Sequence, residues 1–424
     1  MTNAIWSVQI AIEKEHIAES SKGRTSLSES ENFGSIPSSA ATNMKVAFIH
    51  NDKKLGTGAG YINDLMASKL KEDGVEIKNF YPRASLVDTP VHLGGLKNIL
   101  FFYSLLERRK EILKFNIIQG TTYTALPFLT YPVPVVSHFG STTRGFMKMT
   151  PNANGLEKAT SKIWYRLKKE RAITELNVKT RRPMRDIADI EEYVAKRATA
   201  VIATSEQVKK ELIEAGVGLE KIYLIHNAIE DYWFTTPPAP IIDIPRIVFL
   251  GRLGSDAFTL KLKGLDRLIH LYQHFPNVPK LTFSITRNKT LAAWMRSKIS
   301  NHTMWANLPK DRLPAYLQPF RGSILFIPSR YEGFSLSLVE GMSQGLVPVI
   351  YSVGVAPEII RNGENGFIVS SQNEAIQKVE ELLSNKILRE SMSEEASMTA
   401  RQFSSQRIAQ QLMKLYNDII KELK

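Results

Sequence analysis

The sequence predicts an α/β protein with two domains of similar size, each built on a parallel β-sheet that helices cover. Two stretches of alternating strand and helix patterns indicate this fold class, one on each side of a proline-rich segment at residues 235–245. Composition agrees, because 424 residues with 43% hydrophobic side chains can fill a core in each domain. Ligands of such sheets bind beyond the carboxyl ends of the strands, so a cleft between the domains is the expected site.

The first half of the chain divides into an extension and a domain. Residues 1–43 are rich in polar side chains, and we expect them to form a disordered N-terminal extension. Residues 44–235 are predicted to form the N-terminal domain. Its strands are expected at 45–50, 75–81, 116–119, 133–138, 200–204 and 222–226, and its clearest helices at 61–72 and 206–215.

The alternation restarts after the hinge and predicts a C-terminal domain over residues 236–403. Its strands are expected at 246–250, 280–285, 324–328 and 347–351, and its helices at 265–274, 335–344 and 356–361. Residues 254–262 are expected to form an extended loop. A last helix within residues 404–424 is placed to pack back across the hinge.

Composition also limits the function. The chain has no cysteine, which excludes disulfide frameworks, thiolate metal sites and cysteine nucleophiles. No apolar run reaches the roughly 18 to 20 residues that a membrane-spanning helix needs, so we expect no membrane-spanning segment. The expected location is cytoplasmic, at or near the inner face of the membrane. The net charge of +13 favours an anionic partner. The segment Arg144 to Arg185 holds 12 basic and 3 acidic residues, and it is either a solvated helical face or a docking surface for lipid headgroups or a phosphorylated acceptor.

The most informative stretch covers residues 326–369. A strand is followed by a loop with Glu332 and then by a helix that starts near Ser335, and such a helix start attracts phosphate through its free N–H groups. Glu340 lies among apolar residues of this helix, where a carboxylate is costly unless it accepts hydrogen bonds. The two hydroxyls of a ribose would donate them, while Glu332 would meet another part of the same ligand.

Two cations are candidates for binding a diphosphate. Arg252 ends the strand in FLGRL, and Lys263 precedes Gly264 at a helix start. Lys261 is an alternative to Lys263. Asp-x-Asp, a motif that often holds a metal for nucleotide sugars, does not occur in the sequence, so we expect no metal site and no metal requirement.

Two further features lie in the N-terminal domain. His138 ends the apolar strand in VPVVSHFGS, where a neutral imidazole can donate or accept a hydrogen bond, although a structural role is common for such a histidine. The loop GTGAG at residues 56–60 lacks the third glycine of the dinucleotide fingerprint, since Tyr61 takes that place. Hydride transfer therefore loses its main support.

These motifs resemble the retaining glycosyltransferases of family 4, whose signature is two glutamates separated by seven residues. Here the pair is Glu332 and Glu340 within EGFSLSLVEGM, and the resemblance extends from residue 44 to about residue 415. It implies the GT-B fold, in which two Rossmann-like domains with parallel sheets face a central cleft. It also implies that Glu340 binds the ribose of a nucleotide sugar, and that Glu332 and His138 lie at the transferred sugar.

The resemblance implies roles for further residues. Arg252 and Lys263 would hold the diphosphate. The backbone amides that would cradle phosphate or sugar belong to Gly333, Phe334, Ser335 and Leu336. The acceptor would face Gly58, Ala59 and Gly60. Two loops depart from the family pattern, TRNKT at residues 286–290 and Gly354-Val355-Ala356, and this leaves the identity of the donor open.

The sequence therefore predicts a retaining, metal-independent glycosyltransferase that moves a sugar from a nucleotide diphosphate sugar to a hydroxyl acceptor. The expected setting is cell-surface glycan or glycolipid biosynthesis at the inner face of the membrane, with a lipid-linked acceptor and the nucleotide sugar as co-substrate in place of a cofactor. A GT-B epimerase and a catalytically silent nucleotide-sugar binder remain alternatives. Nucleic acid is not expected as a partner, because few aromatic residues, such as Trp164 and Tyr165, accompany the basic segment.

Overall fold

The computed structural model describes residues 44–51, 59–82, 94–177, 181–235, 237 and 239–422. Within these residues two six-stranded parallel sheets confirm the predicted fold class. The first sheet contains β1 (Lys45–Ile49), β2 (Glu76–Phe80), β3 (Ile117–Thr121), β4 (Val135–Phe139), β5 (Ala200–Ala203) and β6 (Ile222–Leu224). The second contains β7 (Ile247–Arg252), β8 (Lys280–Ile285), β9 (His302–Ala306), β10 (Ile324–Ile327), β11 (Val347–Tyr351) and β12 (Phe367–Val369). The expected extension at residues 1–43 lies outside the described residues.

Helices connect the strands, as parallel sheets require. The helices of the first half are α1 (Ala59–Glu72), α2 (Gly94–Leu106), α3 (Arg109–Ile112), α4 (Thr143–Met149), α5 (Lys158–Lys169), α6 (Arg181–Arg197) and α7 (Glu206–Glu214). Those of the second half are α8 (Ala257–Leu262), α9 (Leu265–His274), α10 (Lys289–Lys298), α11 (Leu313–Leu317), α12 (Leu336–Ser343), α13 (Ala356–Ile359), α14 (Gln372–Ser384), α15 (Lys386–Ala400) and α16 (Ser405–Glu422). No helix in the described part of the chain has both the length and the apolar character that crossing a bilayer requires.

Both faces of the first sheet are covered by apolar packing. Successive side chains of a strand point to opposite faces, so Val46 and Phe48 of β1 pack in one core and Ala47 and Ile49 in another. Burial on both faces explains why β1 is almost continuously hydrophobic.

Two helices pack against the sheet of the other half of the chain. Trp164 of α5 is buried in the core of the second sheet, beside α9. In the opposite direction, Ile408 and Leu412 of α16 join the core of the first sheet, against α1. The boundary at residue 235 therefore separates the two sheets but does not separate all of the helices that pack against them.

The expected extended loop at residues 254–262 is wrong, because it contains helix α8. Asp256 precedes this helix, and its Oδ1 accepts a hydrogen bond of 2.9 Å from the backbone N–H of Thr259. This N-cap satisfies one of the free amides at the helix start and stabilises a short helix. The structural consequence is that Lys261 and Lys263 leave the end of α8 in different directions.

Strand order fixes the position of the site. The second sheet has the order β12-β11-β10-β7-β8-β9, so β7 lies between β8 and β10. The chain leaves β7 toward one side of the sheet and later returns on the other. The carboxyl ends of β7 and β10 therefore form a switch point, where ligands of open α/β sheets bind.

Candidate active site

A cavity of about 440 Å³ opens at the carboxyl ends of β7 and β10 and extends to loops of the first sheet. Glu332 and all seven residues that the sequence predicts as donor-binding contribute to its lining: Arg252, Lys263, Gly333, Phe334, Ser335, Leu336 and Glu340. Residues of the first half, among them Tyr61, Gly140 and Asn227, also line the cavity. The structure thus brings the motifs of the second half together in one place.

Glu332 and Lys263 form an ion pair inside this cavity. The ammonium Nζ of Lys263 lies 2.6 Å from Oε1 and 2.8 Å from Oε2 of Glu332. The hydroxyl of Ser329 donates to Oε1 at 2.6 Å, which fixes the carboxylate from its own loop. A cation and an anion therefore stand side by side, so that an entering ligand meets both.

Arg252 and Lys261 have opposite environments. Arg252 ends β7, is exposed, lines the cavity, and pairs with no carboxylate of the described residues. Lys261 is buried, donates to the backbone oxygen of Pro151 at 3.1 Å, and lies 5.2 Å from the ring centre of Trp164. Between the two alternatives for the second cation, the geometry places Lys263 in the cavity and Lys261 in the core.

The turn before α12 has an unusual backbone. Ser335 has φ +86° and ψ 72°, a left-handed conformation that strains any residue with a Cβ. Ser335 is buried, and its Oγ has no hydrogen-bond partner in the part of the chain that the structure describes. Helix α12 starts at the next residue, so its first N–H groups lie at the cavity wall.

Gly333 is where this turn meets the first half of the chain. A Cβ added at Gly333 would lie 1.8 Å from the backbone oxygen of Gly140. The backbone oxygen of Gly333 accepts a hydrogen bond of 2.6 Å from Ser205 at the start of α7. Only a residue without a side chain permits this close approach of two loops.

Glu340 is buried on α12 and faces one cation. Its Oε1 lies 3.0 Å from the Nζ of Lys310. Burial raises the pKa of Glu340 above its ordinary value, and the ion pair with Lys310 offsets only part of that rise. No other donor to the Glu340 carboxylate is found among the described residues, so one of its oxygens is available to a ligand.

His138 lies near the cavity but not in its wall. It is buried at the end of β4 and lines a separate small cavity with residues such as Asn63 and Met66. Burial lowers the pKa of His138 to about 4, and a contact with Asn227, which does line the large cavity, opposes the shift only in part. The imidazole is therefore neutral at physiological pH, and Asn227 is its closest link to the site.

Two of the three expected acceptor-side residues lie in the described part of the chain. Gly58 lies outside the described residues, while Ala59 and Gly60 form the first turn of α1. Tyr61 follows them and lines the cavity. This loop therefore borders the site at the point where α1 begins.

Sequence reasoning missed three contributors to the cavity. Lys310 follows the turn after β9, in a segment with no recognised motif. Trp305 lines the apolar end, where its ring stacks on Phe283 with centroids 4.7 Å apart. Asn227 belongs to the sequence IHNAIED at residues 225–231. The signal that could have identified it was the position of this sequence shortly before the hinge. An apolar, aromatic end next to charged groups suits a planar base attached to a phosphorylated sugar.

The basic segment is divided between ion pairs and an exposed helix face. Arg144 pairs with Asp189 of α6 at 2.9 Å and also with Glu192. Helix α5 buries its apolar side and exposes Lys158, Lys162 and Lys169, and no carboxylate of the described residues pairs with these three lysines.

Two family models match the chain. Residues 65–231 match the model described as Glycosyltransferase Family 4, and residues 245–398 match Glycosyl transferases group 1. Together these segments cover more than two thirds of the chain. The second segment contains the wall of the cavity from Arg252 to Glu340.

The chain is also similar in sequence to curated proteins. The capsular polysaccharide biosynthesis glycosyltransferase CapM of Staphylococcus aureus is 31% identical over 252 residues, which is 53% of this chain and 63% of CapM. The curated relatives are matched over only 14% to 63% of their own lengths.

Solved structures share the fold. The sucrose-phosphate synthase of Thermosynechococcus elongatus superimposes with a TM-score of 0.70 at 14% identity, covering 90% of this chain and 100% of that one. HepE of Anabaena, solved with UDP, gives a TM-score of 0.60 at 16% identity over 88% of this chain and 100% of HepE. The architecture of two facing parallel sheets is thus the GT-B fold of these proteins.

Proposed function

The chain belongs to the group 1 glycosyl transferases with a GT-B fold, and we propose that it transfers a sugar from a nucleotide diphosphate sugar to a hydroxyl acceptor in the biosynthesis of a cell-surface glycan. The observation that carries this proposal is the shared cavity: Arg252, Lys263, the start of α12 and Glu340 all line it. The relative CapM is described as a capsular polysaccharide biosynthesis glycosyltransferase, which supports a cell-surface glycan as the product.

The donor fits the charges of the cavity. A diphosphate bears concentrated negative charge, and Arg252, Lys263 and the first amides of α12 supply fixed positive charge and N–H donors. Glu340 would accept hydrogen bonds from the ribose hydroxyls, and the aromatic end of the cavity, with Trp305, would cover the base. UDP bound to HepE supports this class of donor.

We propose transfer with retention and without a metal ion. As the bond between sugar and diphosphate breaks, Arg252, Lys263 and the α12 amides would stabilise the charge on the leaving group, which is the task a metal would otherwise perform. Glu332 would orient the sugar through a hydroxyl, and Asn227, which contacts the neutral His138, would lie beside the sugar. Retention would follow from attack on the face that the diphosphate leaves, which requires no enzyme nucleophile.

The exposed lysines of α5 support a place for the enzyme at an anionic membrane surface, where a lipid-linked acceptor would be found. Each cation near such a surface contributes about 1 kcal/mol to binding. The variant with Lys158→Glu, Lys162→Glu and Lys169→Glu should sediment less with phosphatidylglycerol vesicles. Reversal of Lys71, Lys289 and Lys298, which are exposed elsewhere, is the control. Equal sedimentation of both variants and the wild type would contradict this surface.

The experiment that tests the function is a donor panel. Purified protein is incubated with UDP-, GDP- and ADP-sugars and a polyprenyl-phosphate sugar acceptor, with and without EDTA, and release of each nucleoside diphosphate is measured. We expect release from one nucleotide class, unchanged by EDTA, and a product whose anomeric proton shows the donor's configuration in NMR. An inverted product would contradict retention, and loss of activity with EDTA would contradict metal independence. No release from any donor would contradict the proposed activity.

A further inference from the structure

Lys310 bridges the two halves of the chain at one end of the large cavity. Its Nζ lies 3.0 Å from Glu340 Oε1 and 3.1 Å from Glu230 Oε2. It also lies 4.0 Å from the ring centre of Tyr61. An ammonium group has three N–H donors, so two carboxylates and an aromatic face use all of them.

The two carboxylates depend on Lys310 to different degrees. Glu230 accepts a hydrogen bond of 2.7 Å from the hydroxyl of Tyr232 and one of 3.1 Å from the indole of Trp233. Glu340 has Lys310 as its donor and no second one in the described part of the chain. Removal of Lys310 would therefore leave Glu230 bonded and Glu340 buried without compensation.

We propose that Lys310 is a positioning residue for the donor: it keeps Glu340 ionised and oriented toward the ribose hydroxyls, and it joins that carboxylate to Glu230 and Tyr61 of the first half of the chain. This inference rests on the proposed function, because it assigns the ribose to Glu340. Lys310 holds Oε1 and leaves Oε2 to accept from the ligand. Tyr61 follows the glycine-rich loop, so the same ammonium also connects the donor site to the acceptor side.

Three groups near Glu340 determine its ionisation. The pKa of Glu340 is raised, because burial and the charge of Glu230 together outweigh Lys310, which lowers it. The phenol of Tyr232 stays neutral, because burial and its bond to Glu230 raise its pKa. Without Lys310, the remaining influences on Glu340 all favour protonation. A protonated Glu340 has lost the charge that strengthens its hydrogen bonds to a diol.

The test is the pH dependence of nucleotide binding. The dissociation constant of UDP is measured by calorimetry between about pH 5.5 and about pH 8.5 for the wild type, Lys310→Met, Lys310→Arg and Glu230→Gln; GDP or ADP replaces UDP if the wild type prefers it. In the wild type and in Lys310→Arg, protonation of Glu340 should not change the dissociation constant over the neutral pH range. In Lys310→Met we expect weaker binding that declines by up to about tenfold for each pH unit below the raised pKa of Glu340.

Glu230→Gln is the matched control, because it removes the negative charge of one partner of Lys310 but leaves the ammonium on Glu340. Its pH profile should follow that of the wild type. A Lys310→Met variant that binds UDP as tightly as the wild type, with the same pH profile, would overturn the inference. A merely structural role of Lys310 would lower the melting temperature without changing the pH profile, and that result would overturn it as well.

A direct measurement covers the case in which Lys310→Met does not fold. The side-chain carboxyl of Glu340 is titrated in the wild type by ¹³C NMR, with the resonance assigned through Glu340→Gln. An ionised Glu340 at neutral pH supports the inference, and a protonated one overturns it. A wild type that binds none of UDP, GDP and ADP would instead contradict the proposed function, which keeps the two failures distinct.

Discussion

The carboxyl ends of the two sheets present different chemistry to the cleft between them. The second sheet contributes charged groups on rigid elements: Arg252 at the end of β7, Lys263 before α9, and Glu340 on α12. The first sheet contributes the backbone of Gly140, which lies close to Gly333, and its neutral His138 is buried outside the cavity wall. Under the proposed function, one half of the molecule would bind the donor through charge and the other would bind it through shape.

The largest effect should come from removing a cation of the second sheet. Lys263→Ala leaves the diphosphate with one fewer fixed charge and leaves Glu332 without its ion-pair partner. We expect kcat/KM for the sugar donor to fall about 10²- to 10³-fold, the usual loss for one group that stabilises developing charge. Lys289→Ala, an exposed lysine outside the cavity, is the control. A variant within threefold of the wild type would remove Lys263 from the donor site.

The contact between the two halves should be sensitive to a single methyl group. In Gly333→Ala the new Cβ would lie 1.8 Å from the backbone oxygen of Gly140, so the two loops must separate. We expect a loss of about 3 kcal/mol in the free energy of unfolding, the upper end of the range for overpacking, together with a loss of activity. Urea denaturation measures the change.

The control for that substitution is Gly155→Ala, because its new Cβ would come no closer than 3.3 Å to a neighbour, the side chain of Pro151. It should cost much less. Equal stability of Gly333→Ala and the wild type would show that the loops do not rely on this approach.

The neutral histidine of the first sheet predicts a pH dependence of stability. The pKa of His138 is about 4 in the folded protein and has a reference value of 6.5. The unfolded state therefore binds a proton first as pH falls, and stability is lost between these two values. From about pH 7 to about pH 5 this loss should be about 2 kcal/mol.

His138→Gln removes this titration, so its free energy of unfolding should decline less than that of the wild type over the same range. Other histidines titrate in both proteins, and the difference between the two declines isolates His138. Parallel declines would show that His138 is charged in the folded protein, or that the folded protein does not bury it.

The smallest effect should come from relieving strain at Ser335. Ser335→Gly accepts the positive φ without a Cβ, and we expect a gain of about 0.5 to 1 kcal/mol in the free energy of unfolding. Ser335→Ala keeps the Cβ and should show no gain. Thermal unfolding compares the two, and equal stability of both variants would contradict backbone strain at this turn.

Much of the second half could be predicted from its sequence, because its motifs are local. A strand, a turn and a helix within residues 324–343 place Glu332, Ser335 and Glu340 relative to one another with little help from the rest of the chain. The strand bounds Lys280–Ile285 and Val347–Tyr351 and the helix Leu265–His274 were predicted to the residue. Regular apolar patterns with clear ends determine such elements.

The remaining features depend on contacts between distant segments. Helix α8 was expected as a loop, since its six residues show little periodicity and only the cap at Asp256 indicates it. Lys310 is 30 residues from Glu340 in the sequence, and only the fold brings its ammonium to that carboxylate. The burial of α5 in the second core likewise has no signal in local sequence. These are the parts of the molecule in which tertiary packing decides the structure.

The central claim is that a diphosphate binds between the two cations and the start of α12 while Glu340 binds the ribose. A crystal structure with UDP, or with whichever of GDP and ADP stabilises the protein, tests it most directly. We predict that Arg252 and Lys263 contact the diphosphate oxygens, with Glu340 at the ribose hydroxyls. A nucleotide bound elsewhere, or a cavity in which Lys263 and Glu332 keep only each other as partners, would contradict the claim.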